Sequence, residues 1–536
     1  MSIPSFFSLR FKTEPSPGCW LFLFCLGLYL LTMSGHLYST DDEIKGLIAE
    51  GIVERHAVTL PKAEMIYMNV GRGGLSYAPF PLGSSITMIP FYRLGDLLAR
   101  TIPSLPRPLV IEFCYALINP IATALTCLVL FETCRALAFS FRTALLTTLL
   151  YGFCTVAWPY AKTAWSEPQA TLCVMTGLYG VIRWGLDVRL RWMALAGAAV
   201  GYGMMTKYEM GVYALLFFLL ALYPVLTSRR IPWRRALSAA LAYGLPLSFF
   251  GLMILGYNYL RFERWTAFSH YSHLVSDHME QSSPLWDSLK GIVVGTYQHL
   301  FSTGKGILLF SPPLLLFYWA IKGFWRVHRP VAVLCIALPA AFFISTGAFW
   351  AMSNIAWGDR YFVSLTPFLM VPLAALVSEI ADHKGAYMKK SLVTLAAAGL
   401  AVQFLGVSIN FQTVVEKQIA AGDPLDIQTL SYDPEYSPVL LHLKEVVGRL
   451  GDTWQVLRQG PERFMEARMS SPPRTFDPAQ KHYRDTIRFH TFDFWFCYLY
   501  FLRMPLLLIL IPGGLLAGLV YISGRRLVRL SGLSGQ

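Results

Sequence analysis

Apolar runs long enough to cross a bilayer recur along this chain, and they restrict it to one class of fold. A spanning helix needs about 20 predominantly apolar residues. Twelve segments meet or approach that length, near 17–35, 109–131, 143–159, 168–184, 192–206, 209–227, 236–258, 306–321, 331–350, 362–380, 391–410 and 497–522. Only 14% of the 536 residues are charged, against about 25% in an ordinary soluble protein. The spacing therefore predicts an all-α polytopic membrane protein with about twelve transmembrane helices. Proline and glycine inside several runs fit this reading, because neighbouring helices satisfy the backbone groups they free.

The basic residues orient the spans. With Arg10 and Lys12 inside, the even loops also fall inside, and each carries a basic cluster, among them Arg183, Arg189 and Arg191, then Arg229, Arg230, Arg234 and Arg235. The tail adds Arg525, Arg526 and Arg529. Both termini are then cytoplasmic. The net charge of +13 follows from these loops and gives no reason to expect nucleic acid. The nine cysteines lie in or beside apolar runs and read as small apolar residues. The first apolar run lacks a signal-peptide exit and reads as an uncleaved span.

This orientation sends most remaining polar chemistry to the exoplasmic side. Loops 36–108, 259–305 and 411–496 lie there, with the short turns "AKTAWSEP", "TKYE" and "SNIAWGDRY". The expected organisation is a transmembrane core over 1–410, an exoplasmic region over 411–496, and a last span with a basic tail over 497–536. "GRGGLSYAPFPLG" has glycines but joins no strand to a helix, so it is not a dinucleotide-binding loop. Leu440, Leu441, Leu443, Val446 and Val447 mark one amphipathic helix in the last exoplasmic region.

The first exoplasmic loop opens with "STDDEIKGLIAEG", three acids in a row. One reading is helix capping: Thr40 with Glu43 makes a capping box, and Asp41 and Asp42 suit a first turn. Ile44, Leu47, Ile48 and Ile52 then give an amphipathic helix suited to the membrane surface. A second surface helix is expected over 84–100, kinked or delayed by Pro90. The other reading is catalytic, because a carboxylate at headgroup depth can deprotonate an acceptor hydroxyl or amine.

"TDDEIKGLIAEGI" resembles the first exoplasmic helix of the GT-C integral-membrane glycosyltransferases, in particular the protein O-mannosyltransferase and aminoarabinose transferase group. That resemblance implies a GT-C-like fold and a catalytic base at the Asp of the "DE" pair, Asp42, beside Glu43. The extra acid, Asp41, leaves the register open between Asp41 and Asp42. "TK" at Thr206–Lys207 resembles a donor-phosphate contact of this superfamily, although a lysine at a span end also snorkels. "WGDRYFVSLTPFL" resembles a block of its bacterial members and brings Arg360 and Tyr361 to the donor phosphate, where arginine binds bidentately. Alternatively Arg360 pairs with Asp359. Glu167, in "WSEP", is either helix-start chemistry or a second acid. Lys305, between Gly304 and Gly306, reads more readily as a loop lysine than as a ligand contact. His270, His273 and His278 have a spacing that invites zinc but lack supporting ligands, so no metal site is expected.

The resemblance implies a hexosyl- or pentosyltransferase that passes a sugar from a polyprenyl-phosphate donor to an exoplasmic lipid, glycan or protein, in a bacterial inner membrane. Its partners are that donor and membrane lipid. It needs no cofactor, with a divalent metal left open. A multi-span transporter or lipid flippase is the competing reading, which the scarcity of ionisable residues inside the spans disfavours.

Overall fold

The computed structural model describes residues 15–61, 69–102, 105–228, 231–267, 285–347, 356–381, 385–422, 427–468 and 481–532. Apart from one small hairpin, those residues fold into helices and their connections. Helix α1 (Pro17–Thr32) starts at Ser16, whose hydroxyl accepts from the Cys19 amide, with Pro17 at the first position. After α2 (Thr40–Glu50) and α3 (Gly83–Thr101) come α4 (Arg107–Ala116), α5 (Ile118–Ala136), α6 (Phe141–Cys154), the short α7 (Ala157–Tyr160) and α8 (Ser166–Asp187). Then follow α9 (Leu190–Thr206), α10 (Gly211–Ser228) and α11 (Trp233–Phe262).

Among the described residues each of the twelve expected segments overlaps a helix, although not every segment is one continuous span. Five among the described residues are long and apolar enough to cross a membrane: Arg107–Ala136, Tyr208–Thr227, Trp233–Phe262, Ala386–Ser408 and Leu507–Leu530. Pro17–Thr32, Phe141–Cys154, Arg329–Ser345 and Thr366–Ala381 are shorter apolar helices. The expected span 306–321 is broken into Ile307–Phe310, a 3₁₀ turn at Pro312–Leu316 and the start of Phe317–Val327. Pro312 and Pro313 explain the break, since neither supplies an amide hydrogen.

The core is built by close helix packing. Helix α8 packs on α9, α9 on α11, and α5 on α8, while α1 sits between α5 and Leu507–Leu530. Val174, Leu178, Ala196 and Val200 are fully buried between them. At Gly197 a Cβ would lie 2.0 Å from the Tyr243 carbonyl oxygen, so only glycine lets α9 approach α11 this closely. All nine cysteines are unpaired and buried or half-buried.

The first loop departs from expectation in three ways. Helix α2 is preceded by Ser39 in extended backbone, with no side-chain cap. Thr40 is therefore the first helical residue, and the Thr40–Glu43 capping box does not form. The helix starts one residue early, which moves Glu43 out of the third position that a capping box requires. Second, the apolar face of α2 packs on protein: Ile44 and Ile48 are fully buried with Leu60 and Ala78. Third, α3 runs unbroken from Gly83 to Thr101 with Pro90 inside it, so Pro90 does not delay its start. The glycine-rich stretch is an antiparallel hairpin pairing Asn69–Val70 with Ser76–Tyr77. Gly73 and Gly74 turn it at φ values of 66° and 69°, which glycine adopts freely.

Candidate active site

Four separate parts of the chain meet at one end of the helix bundle. The first turn of α2 supplies Asp41 and Asp42. The connection between α7 and α8 supplies Thr163, Trp165 and Glu167. The end of α9 supplies Lys207, and a 3₁₀ turn at Arg360–Phe362 supplies Arg360 and Tyr361.

Glu167 is the hub. Its Oε1 lies 2.9 Å from Lys207 Nζ and 3.6 Å from Arg360 Nε. Lys207 also reaches Glu209 at 2.9 Å. Arg360 Nη1 lies 3.6 Å from Asp41 Oδ2. The guanidinium sits over the Trp165 ring at 5.5 Å, and the Lys207 ammonium sits over the Tyr361 ring at 5.2 Å. Burial pushes the Glu167 carboxyl up, but Lys207 first and Arg360 next outweigh it and hold it down at about 2. Glu167 is thus ionised throughout the physiological range.

Asp42 is the opposite case. Its side chain is completely buried. Oδ2 is 3.5 Å from the Thr163 hydroxyl and Oδ1 is 3.7 Å from Lys45 Nζ. Oδ1 has no hydrogen-bond partner among the described residues. Burial pushes its carboxyl up to about 7, with Lys45 opposing and Asp41 and Glu167 reinforcing the rise. A carboxyl that titrates near neutrality is tuned for proton transfer at working pH.

The connection between α7 and α8 is held from beneath. Asn119 Nδ2 donates to the Trp165 carbonyl at 2.9 Å, and Gln169 Nε2 donates to the Ala164 and Trp165 carbonyls at 3.2 Å each. Placing Glu167 in the first turn of α8 puts a carboxylate at the positive end of the helix.

Residues 111–250, about a quarter of the chain, match the family model for dolichyl-phosphate-mannose-protein mannosyltransferases. Over that segment the chain is similar to this family. The matched segment contains Thr163, Glu167 and Lys207; Asp41, Asp42 and Arg360 lie outside it. Among solved structures, ArnT from Cupriavidus metallidurans bound to undecaprenyl phosphate is similar at 16% identity and a TM-score of 0.45, covering 83% of this chain and 72% of that one. No curated protein matches.

Six residues singled out from the sequence lie together: Asp41, Asp42, Glu167, Lys207, Arg360 and Tyr361. Glu43 is half-buried in the same turn, and none of the ion pairs above involves it. Arg360 does not pair with Asp359. Asp359 instead accepts from the Tyr361 amide at 2.9 Å and meets His299. Lys305 is buried, unlike an ordinary loop lysine, and burial pulls its amine down from the usual lysine range, with Asp359 opposing. His270, His273 and His278 lie outside the described residues. Among the described residues no group of three His, Cys, Asp or Glu side chains is placed to hold a metal.

Sequence reasoning passed over Lys45, Thr163 and Trp165. Lys45 was legible, since it lies three residues after Asp42 on one helix and so shares its face. Thr163 and Trp165 needed the fold. A second buried cluster adjoins the first and was also passed over. Asp493 accepts from Lys162 Nζ at 2.7 Å and from the Tyr38 hydroxyl, and its carboxylate meets His36 Nε2 at 2.9 Å. Lys162 and Thr163 are neighbours in sequence, so one connection touches both clusters.

Proposed function

We propose that this protein is a glycosyltransferase that moves a hexosyl or pentosyl group from a polyprenyl-phosphate donor to an exoplasmic acceptor. The observation that carries the proposal is the pairing of opposite roles in one site: a carboxyl held near 7 at Asp42 beside cations from two other parts of the chain. In this reading Asp42 takes the proton from the acceptor hydroxyl or amine, and the acceptor attacks the sugar C1. The C1–O bond to the lipid phosphate breaks, and the phosphate leaves with one more negative charge. Arg360 and Lys207 stabilise that charge, which is greater in the transition state than in the bound donor.

Glu167 holds both cations in place until the donor phosphate arrives. Its contact to Lys207 is short, whereas Arg360 is 3.6 Å from both Glu167 and Asp41. Arg360 is thus the cation with slack to turn toward a phosphate. Asp42 is preferred to Asp41 as base because Asp41 faces Arg360, while Asp42 Oδ1 is left to accept a proton. The bilayer supplies the donor lipid; the basic loops support an exoplasmic site, and the resemblance to bacterial members supports a bacterial inner membrane. The residues named here require no cofactor for this chemistry.

The test is sugar transfer from a panel of polyprenyl-phosphate sugars by purified wild type and Asp42→Asn, at matched folding. Loss of a general base costs about 100-fold or more. Activity that survives the substitution would return Asp42 to a structural role, and absence of transfer from every donor would favour a transport function.

A further inference from the structure

The helix Pro438–Gln459 has three faces, and one of them is uncovered among the described residues. At about 100° per residue, Leu440, Leu443, Val447, Leu450, Trp454 and Leu457 form a single stripe, each between 42% and 71% exposed. His442, Arg449 and Val456 lie on a second face and are buried against protein. Lys444 and Gln455 fall on a third face and are exposed, and the exposed Arg458 lies at the edge of the stripe, in line with Leu440. A helix in water needs no apolar stripe of this length, about 25 Å at 1.5 Å per residue.

We propose that this helix lies in the bilayer interface, with the stripe set into the acyl boundary, Lys444 and Gln455 facing water, and Arg458 at the edge of the stripe, where its long side chain reaches the headgroups. Its position in the fold supports a lipid partner. His442 Nδ1 meets the Leu405 carbonyl at 3.2 Å, which joins the helix to the end of the apolar helix Ala386–Ser408. On that helix Leu400 and Phe404 are 46% and 54% exposed. The stripe therefore begins beside an exposed apolar flank of a helix that is long enough to span. An apolar face, a polar face and an interfacial tryptophan are the composition of an in-plane helix.

The buried face gives this placement a consequence for the site. Arg449 donates to the Thr491 and Arg488 carbonyls and to the Thr413 hydroxyl at 2.8 Å. Thr491 is two residues before Asp493. The interface helix thus fixes the depth of the segment that holds Lys162, and with it the connection that carries Thr163 to Asp42.

The experiment uses the full chain in nanodiscs of phosphatidylethanolamine and phosphatidylglycerol. Benzoylphenylalanine is placed singly at Val447, Leu450 or Gln455, all exposed positions, and the irradiated protein is mapped by mass spectrometry. Lipid adducts at 447 and 450 that clearly exceed those at 455 are expected. A crosslink from 447 or 450 to a second copy of the chain would overturn the proposal in favour of a helix-pair seam, which the three- and four-residue spacing also fits. Adducts no more frequent than at 455 would overturn it in favour of a stripe held away from lipid.

Discussion

The two buried charge clusters differ in how completely they are satisfied. Around Asp493 the contacts are short: Lys162 at 2.7 Å, His36 at 2.9 Å and the Tyr38 hydroxyl. His36 Nδ1 also lies 2.9 Å from the Leu37 carbonyl, so both ring nitrogens have a polar neighbour. Around Asp42 and Arg360 the contacts run from 3.5 to 3.7 Å. Asp42 Oδ1 and Arg360 Nε make no hydrogen bond among the described residues. A saturated cluster resists change and holds the chain together. A slack one keeps bonding capacity for something that is not protein. The difference separates a latch from a site, although both are buried and both are charged.

The largest effect expected is on the latch. Asp493→Ala strands Lys162 without its carboxylate and should cost about 3–5 kcal/mol of stability. Denaturant unfolding of the detergent-solubilised protein measures it. Replacing both partners at once, Lys162→Met with Asp493→Leu, should recover much of the loss, because a buried pair exchanged for apolar side chains is often neutral. A mild Asp493→Ala would break the comparison by showing that the latch is slack too.

At Asp42 the sign reverses. Its carboxyl rises from 3.8 to about 7 on folding. Between those values the folded state holds a proton that the unfolded state has released, so stability falls as pH rises through that window. Each pH unit is worth about 1.4 kcal/mol, which makes the loss on the order of 4 kcal/mol above pH 7. Asp42→Asn removes this loss and should be the more stable protein at pH 8, and not at pH 4, while its transfer activity falls about 100-fold. Equal stability at both pH values would show that Asp42 is not held against its own ionisation.

Arg360→Lys comes next. A lysine is a point charge and cannot face Asp41 and Glu167 along two directions as a planar guanidinium does. Donor KM should rise about tenfold, equivalent to about 1.4 kcal/mol, with the fold intact. An unchanged KM would move the phosphate contact away from Arg360.

Much of this was legible before the fold. Each of the twelve apolar runs overlaps a helix among the described residues, five of them long enough to span, and six polar residues chosen from short motifs converge on one place. Their legibility has a physical basis, because each sits where an apolar run ends, and a charge at such a point has few places to go. The latch was not legible. Lys162 and Asp493 are 331 residues apart, and neither lies in a periodic pattern that would announce a partner. The start of α2 was misread by one residue, since Ser39 and Thr40 are both good capping residues and only tertiary packing decides between them. The burial of Ile44 and Ile48 on protein was also hidden, because an amphipathic pattern does not say whether its apolar face meets lipid or protein.

The smallest effect bears most directly on how the latch and the site are joined. Thr163 follows Lys162, and its hydroxyl is a neutral group placed against Asp42 Oδ2, at the long distance of 3.5 Å. A hydrogen bond to a carboxylate favours the charged form and lowers its pKa. Thr163→Val removes that bond while keeping the volume. The Asp42 carboxyl should then rise from about 7 by less than about one unit, the scale of a weak hydrogen bond. Because the base must be ionised, the acid limb of kcat/KM should move to higher pH by the same amount, with the plateau rate nearly unchanged. Thr163→Ser keeps the hydroxyl and should leave the limb in place. If Asp493→Asn, which weakens the latch without emptying it, moves the limb in the same direction as Thr163→Val, the connection transmits the latch's geometry to the base. If only Thr163→Val moves it, the two clusters are neighbours that share a loop and nothing more.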